Sequence, residues 1–193
     1  SRPARAAEVG SLWATLAPFL IASALMPIEL VITLALLGTP GRVRTAGAAV
    51  IGMVLVRLLQ GLLFGTILHW GRRDATKGGH GWLVSTVLLV VALVLLVSAH
   101  RELLGGDDSD DPPPKWMTAL SSMTPGKAFL LGTAVILISV KLWVFTFAAM
   151  GEIGDAGMPR STNAVTYIVF VLLGVSTHLA IIAAAAFVPD QSR

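Results

Sequence analysis

Five long apolar stretches constrain the fold of this chain more than any other feature. They occupy residues 11–37, 45–68, 82–99, 127–150 and 163–188. Each reaches the roughly 18 residues at which an apolar helix becomes able to cross a bilayer. Only 13% of the 193 residues are charged, about half the share in soluble domains. The sequence therefore predicts an all-α integral membrane protein, a polytopic helical bundle with one transmembrane domain over residues 1–193.

One segment between these stretches is longer and more hydrophilic than the others. Residues 101–124 include four aspartates and three consecutive prolines, all between Asp107 and Pro114. Because like charges and prolines neither pack in lipid nor form a helix, we predict that this segment is an aqueous loop. Basic residues are spread almost evenly over the two sets of loops, so the positive-inside rule leaves the membrane orientation open.

The composition argues against several classes of function. The chain has no cysteine, which removes disulfides, thiolate metal sites and cysteine nucleophiles. The sequence shows no metal-ligand cluster, no Ser/His/Asp set at a credible spacing and no phosphate-binding glycine loop, so we predict neither an enzyme nor a metal or cofactor. The net charge of +3 is small and does not indicate binding of nucleic acid.

The first apolar stretch carries a single formal charge, Glu29, two residues after Pro27. Proline lacks a backbone N–H and its ring clashes with the preceding helical turn, so we predict two half-helices broken near Pro27. A carbonyl freed by such a break must be satisfied by protein or by water in a cavity. Since intramembrane acids usually mark pathways, Glu29 is the main candidate for a functional residue. The alternative is a proline kink beside a protonated, hydrogen-bonded glutamate that holds two helices together.

Three further ionisable residues lie deep in other apolar stretches: Arg57, Lys141 and His178. A mid-span arginine must be paired, snorkelled or hydrated, and Glu29 is the only carboxylate at comparable depth. We therefore expect Glu29 to interact with Arg57 or Lys141. We predict that these three residues line a pathway for substrate or protons together with Pro27 and Glu29. Two alternatives stay open: Lys141 snorkels along its helix, and His178 is a hydrogen-bonded packing residue.

Small residues predict where helices pack closely. Gly61 and Gly65 form a GxxxG pattern, which lets another helix approach in a membrane. Gly174 lies in the last apolar stretch near the same face as His178. We assign all three glycines to helix packing.

Two segments of the chain share a pattern. Residues 24–30 and 137–143 each place one charged residue in mid-span, and each precedes a turn and a helix rich in small residues. The two charges, Glu29 and Lys141, are opposite in sign. If each half contained three spans, an odd number, the second half would have the opposite membrane orientation to the first. Many secondary transporters have this inverted-repeat arrangement.

These residues carry a resemblance to a known group of proteins. Residues 24–30, 38–44, 46–52 and 123–132 resemble the lysine-exporter superfamily of small membrane transporters. More specifically, they resemble its GAP family, the glycopeptidolipid- and sulfolipid-addressing proteins of actinobacteria. Ser139, Val140 and Lys141 stand where the family tends to have Asn-Pro-Lys, so the lysine is kept and the second helix break is left open. Members usually have six spans, against five visible here.

The resemblance implies an exporter of lipid or glycolipid in the bacterial plasma membrane, acting beside a larger lipid transporter. Its implied partners are membrane lipids and, because two buried bases face one acid, an anionic lipid or glycolipid substrate. Coupling to protons and a homodimer stay open. The alternatives are a non-transporting scaffold or accessory subunit of an envelope-lipid complex, and an exporter of amino acids or ions as elsewhere in the superfamily.

Overall fold

All the regular secondary structure of the described residues is α-helical. The computed structural model describes residues 2–39, 41–75 and 123–187, together with the single positions 86, 89, 93 and 96. The three continuous ranges contain seven helices: α1 (Arg2–Ala24), α2 (Pro27–Leu37), α3 (Arg42–Ala75), α4 (Pro125–Ile138), α5 (Val140–Asp155), α6 (Arg160–Gly174) and α7 (Ser176–Phe187). The prediction of an all-α protein is therefore confirmed over these residues.

Among the described residues, one continuous helix and three bent helix pairs have the length and apolar character of membrane spans. The continuous one is Arg42–Leu68 within α3, and counting each bent pair as a single span gives up to four. The predicted span at 82–99 lies outside the described residues, apart from four helical positions with exposed side chains. The predicted aqueous loop at 101–124 also lies outside them, except for its last two residues.

The break predicted near Pro27 is confirmed. Helix α1 ends at Ala24 and α2 begins at Pro27, with a bend of 47° between them. Pro27 cannot donate a hydrogen bond to α1, but it fits the first turn of α2, where no intrahelical donor is needed. Glu29 consequently lies in the first turn of α2, at the helix end that favours negative charge.

The break that the sequence left open, between α4 and α5, is also present. The two helices meet at Ser139 with a bend of 71° and without a proline. The indole N–H of Trp143 donates to the carbonyl of Leu137 at 3.1 Å. This bond satisfies one of the backbone carbonyls that lose an intrahelical partner at the end of α4.

A third break, between α6 and α7, is not indicated by the sequence pattern. The helices bend by 51° at Val175, inside what reads as one uninterrupted apolar stretch. The hydroxyl of Ser176 donates to the carbonyl of Leu173 at 2.7 Å. Serine side chains that bond to nearby carbonyls compete with helical hydrogen bonds and often bend helices.

Helix α3 is the centre of the described structure. It contacts α2, α4, α5, α6 and α7, and its contact with α4 is the most extensive. At this crossing a side chain on Gly132 would overlap the carbonyl of Ala49, and one on Gly52 would overlap the carbonyl of Phe129. The two backbones therefore touch, as small residues allow in membrane helices. An apolar cluster continues from this crossing towards α2 and α7 through Ile32, Leu36, Val50, Ala128, Val175 and Ile182.

Candidate functional site

A buried ion pair lies between α2 and α3. Nη2 of Arg57 is 3.6 Å from Oε2 of Glu29, and these residues are only 2% and 1% exposed. The structure thus pairs Glu29 with one of its two predicted partners. Burying either charge alone would be strongly unfavourable, and each reduces that penalty for the other.

The other side of the Arg57 guanidinium faces the end of α1. Nη1 of Arg57 donates to the Ser23 hydroxyl at 2.6 Å, and both side chains are buried. The carbonyl of Arg57 accepts a hydrogen bond from the hydroxyl of Tyr167 on α6. Arg57 is therefore held through its side chain and its backbone by groups other than Glu29.

His178 completes the site from the first turns of α7. Its side chain is fully buried, and its Nε2 lies 3.8 Å from Oε2 of Glu29. The same carboxylate oxygen thus lies between a guanidinium and an imidazole. Neither distance is a hydrogen bond, because such bonds have heavy-atom separations of about 2.7–3.2 Å.

Several buried polar atoms of the site have no hydrogen-bond partner among the described residues. They are both carboxylate oxygens of Glu29, Nε and Nη2 of Arg57, and both ring nitrogens of His178. More than about 90% of buried polar groups in native proteins are hydrogen-bonded, so a concentration of exceptions points to a functional site. This arrangement is suited to binding a proton or an external polar group between Glu29, Arg57 and His178.

A second polar group lies one helical turn along α3 from the ion pair. The hydroxyl of Thr146 on α5 lies 3.5 Å from Oε1 of Gln60, at the limit of a hydrogen bond. Both residues are buried, and Nε2 of Gln60 has no partner within the described part of the chain. Polar groups therefore extend from Arg57 towards α5.

The remaining pathway residues of the prediction lie at helix breaks. Pro27 begins α2, and its side chain is exposed while Glu29 faces inwards. Lys141 is in the first turn of α5, next to the break at Ser139, and its side chain is exposed. The structure thus brings Glu29, Arg57 and His178 together and places Lys141 at the surface, beside the break between α4 and α5.

The glycines assigned to packing have different neighbours. Gly61 lies against the ring of Tyr167, and Gly65 lies against the end of the Met150 side chain. The two glycines of the GxxxG pattern therefore pack against the side chains of Tyr167 and Met150, and not against the backbone of another helix. Gly174 lies against Arg57 and Ser23, so it packs within the charged site itself.

Sequence reasoning did not assign Ser23 and Tyr167 to the site. One available signal for Ser23 was a small polar residue in an apolar stretch, four residues before Pro27. Tyr167 shares a helix face with Gly174 in the sequence pattern, but nothing local indicates that its hydroxyl reaches Arg57. Among the described residues, no group of three or more His, Asp or Glu side chains is placed to hold a metal ion.

The fold and this site define a class of protein, an all-helical membrane protein with a charged cluster buried beside broken helices. The family described as Sap, sulfolipid-1-addressing protein, matches residues 16–193. The chain belongs to this family, which confirms the resemblance to sulfolipid-addressing proteins. No curated protein and no solved structure matches the chain.

Proposed function

We propose that this protein moves an anionic lipid or glycolipid across the bacterial plasma membrane, with the Glu29 site as the place where its acidic headgroup and a proton alternate. The observation that carries the proposal is the buried cluster of Glu29, Arg57 and His178, whose facing polar atoms have no hydrogen-bond partner within the described part of the chain. Membership of a sulfolipid-addressing family supports a sulfated glycolipid as the substrate.

The charges of the site suggest how it would work. With Glu29 ionised, Arg57 is neutralised at 3.6 Å. When Glu29 binds a proton, the positive charge of Arg57 becomes available to an acidic headgroup, while the lipid tails stay in the bilayer. Loss of that proton restores a carboxylate that competes with the headgroup and favours its release. We assign capture of the headgroup at the surface to Lys141, which is exposed at the start of α5.

The broken helices support a transporter rather than a static bundle. Secondary transporters place their sites near the membrane midplane, where discontinuous helices present their ends to substrate and coupling ion. Here Ser23 lies in the last turn of α1 and Glu29 in the first turn of α2, while Gly174 is the last residue of α6 and His178 lies in the first turn of α7. The breaks at Pro27 and Ser139 fall in the two segments that share a sequence pattern, in keeping with an inverted repeat.

The test uses purified protein in liposomes with a fluorescent sulfatide, whose inner-leaflet pool is detected by its resistance to dithionite. Galactosylceramide with the same fluorophore is the control lipid, because it lacks only the sulfate. We expect the protein to move sulfatide faster than the control, and faster still under a proton gradient. Glu29→Gln keeps the shape of the side chain but cannot exchange a proton, so we expect at least about tenfold slower movement, equivalent to roughly 1.4 kcal/mol.

Membrane abundance and the thermal midpoint of the variant are measured alongside. A wild-type rate in Glu29→Gln at normal abundance would remove the glutamate from the mechanism. It would favour a second function, that of a scaffold or accessory subunit of an envelope-lipid complex. The near-complete burial of Glu29 and Arg57 suits that function, because a sealed ion pair can hold helices together without binding a substrate.

A further inference from the structure

The Arg57 side chain is held more tightly on the side away from Glu29 than on the side facing it. Its Nη1 is 2.6 Å from the hydroxyl oxygen of Ser23, whereas its Nη2 is 3.6 Å from the nearest Glu29 oxygen. A free arginine beside a carboxylate prefers a bidentate pair with N–O distances of about 2.7–2.9 Å. Charge attraction to Glu29 alone therefore does not explain the position of this guanidinium.

Gly174 provides the space that the guanidinium occupies. A side-chain carbon on Gly174 would lie 2.8 Å from Nη1 of Arg57 and 3.3 Å from the Ser23 hydroxyl oxygen. Both distances are closer than ordinary van der Waals contact. Every residue other than glycine at this position would consequently displace the guanidinium or break its bond to Ser23.

The backbone of Arg57 is held as well, since its carbonyl accepts from Tyr167. The whole residue is therefore anchored between the end of α1, where Ser23 lies, and α6, which carries Tyr167 and Gly174. Glu29 and His178 belong to α2 and α7, on the far side of the breaks that follow these two helices. The anchor of Arg57 and the groups that face it are thus on different half-helices.

We propose that Ser23 and Gly174 are positioning residues that hold the Arg57 guanidinium off the Glu29 carboxylate. This inference rests on the proposed function. In a bidentate pair, the Arg57 guanidinium and the Glu29 carboxylate would use their hydrogen-bonding groups on each other. A headgroup would then have no donor to bind. At 3.6 Å, Arg57 neutralises Glu29, but its buried Nη2 and Nε have no hydrogen-bond partner among the described residues and so keep donors for a sulfate or phosphate oxygen. One cation can then serve the carboxylate and the acidic headgroup in turn.

The test is a double-mutant cycle with Ser23→Ala, Arg57→Lys and the double variant, in the fluorescent sulfatide assay described above. Loss of a hydrogen bond to a buried charge releases Arg57 towards Glu29, and we expect Ser23→Ala to slow sulfatide movement about tenfold. In the Arg57→Lys background the same change should alter the rate by less than about twofold, because the shorter side chain no longer reaches Ser23. Ser23→Thr retains the hydroxyl and should restore part of the lost rate.

Glycine variants provide the matched control. Gly174→Ala should slow sulfatide movement at least as much as Ser23→Ala. Gly151→Ala, in α5, adds the same methyl group where no atom lies within 4 Å, and should move sulfatide at the wild-type rate. Equal effects of Ser23→Ala in both backgrounds, at normal abundance, would show that Ser23 only packs and would overturn the inference.

Failure of the proposed function gives a different result. If the wild-type protein moves no sulfatide, the same cycle is measured as thermal midpoints of the purified variants. If the changes in thermal midpoint caused by Ser23→Ala and Arg57→Lys are not additive, Ser23 does position the Arg57 guanidinium, even though the transport proposal has failed. Additive midpoints overturn the inference as well.

Discussion

Helix α3 presents two opposite solutions to helix packing on its two sides. Towards α4 it packs through Gly52, where the helix backbones touch without any side chain between them. Towards α1, α2 and α7 it buries Arg57, whose charge is balanced by Glu29 and whose position is held by Ser23. Gly52 and Arg57 are five residues apart, which places them about 140° apart around the helix.

The two sides of α3 have different roles: the glycine crossing stabilises the fold, and the charged side forms the candidate site. The glycine crossing gains close contact between backbones with no polar group to satisfy, so its contribution is to stability. On the charged side, several buried polar atoms have no partner among the residues that the structure describes, which lowers stability and is typical of sites kept for function. Substitutions at the glycine crossing should therefore lower mainly the thermal midpoint, whereas substitutions on the charged side should also change sulfatide movement.

The largest effect on unfolding is expected for Glu29→Leu. The change leaves Arg57 as a buried cation without a counter-ion, a situation that costs about 3–5 kcal/mol. Arg57→Leu should cost less, roughly 1–3 kcal/mol, because the remaining carboxyl can take up a proton and become neutral. Thermal unfolding in detergent and membrane abundance measure both. Equal losses in the two variants would show that the guanidinium of Arg57 reaches water or lipid headgroups.

Gly132→Ala should destabilise the protein by about 1–3 kcal/mol. The added methyl group meets the backbone carbonyl of Ala49, which cannot rotate away as a side chain can. Gly126→Ala on the same helix is the matched control, since no atom lies within 4 Å of the added group. A thermal midpoint for Gly132→Ala as high as that of Gly126→Ala would mean that α3 and α4 do not cross so closely in the membrane.

A smaller loss, about 1 kcal/mol, is expected for Gly61→Ala. This glycine also sits on α3, but the added methyl group meets the ring of Tyr167, which can move at the expense of its bond to the Arg57 carbonyl. The result separates the two regions, because the loss should fall on sulfatide movement more than on the thermal midpoint. If the midpoint falls as far as in Gly132→Ala, the ring of Tyr167 is as immobile as backbone.

Local chemistry explains which features could be predicted from the sequence. Pro27 removes a backbone donor and Glu29 is an acid among apolar residues, so both the first break and the main site candidate follow from neighbouring residues. Glu29 could be predicted as a partner of Arg57 by elimination, because it is the only carboxylate at a comparable depth in an apolar stretch. At the bend near Val175, the Ser176 hydroxyl donates to the Leu173 carbonyl, and a serine in an apolar stretch does not by itself predict such a bend.

The glycine crossing was hidden for a different reason. Gly52 and Gly132 belong to helices far apart in the chain. Both fall in segments that carry the family resemblance, but neither segment indicates that the two glycines pack against each other. The GxxxG pattern at Gly61 and Gly65 drew attention to a part of α3 that receives the side chains of Tyr167 and Met150 instead. Close contact between two helices depends on both partners, and a single sequence gives no direct record of the pairing.

The order of the residues around Arg57 has a consequence for biosynthesis. Ser23 and Glu29, which hold and neutralise Arg57, are both synthesised before it. The ribosome therefore presents the most unfavourable charge of α3 to the membrane when its counter-ion and hydrogen-bond acceptor are already there. Since chains fold from the N-terminus during synthesis, the first three helices can leave the translocon with the buried charge of Arg57 already paired with Glu29. Helix α4 then docks against a surface of glycine and alanine, and His178 arrives last, at a site whose ion pair is already formed.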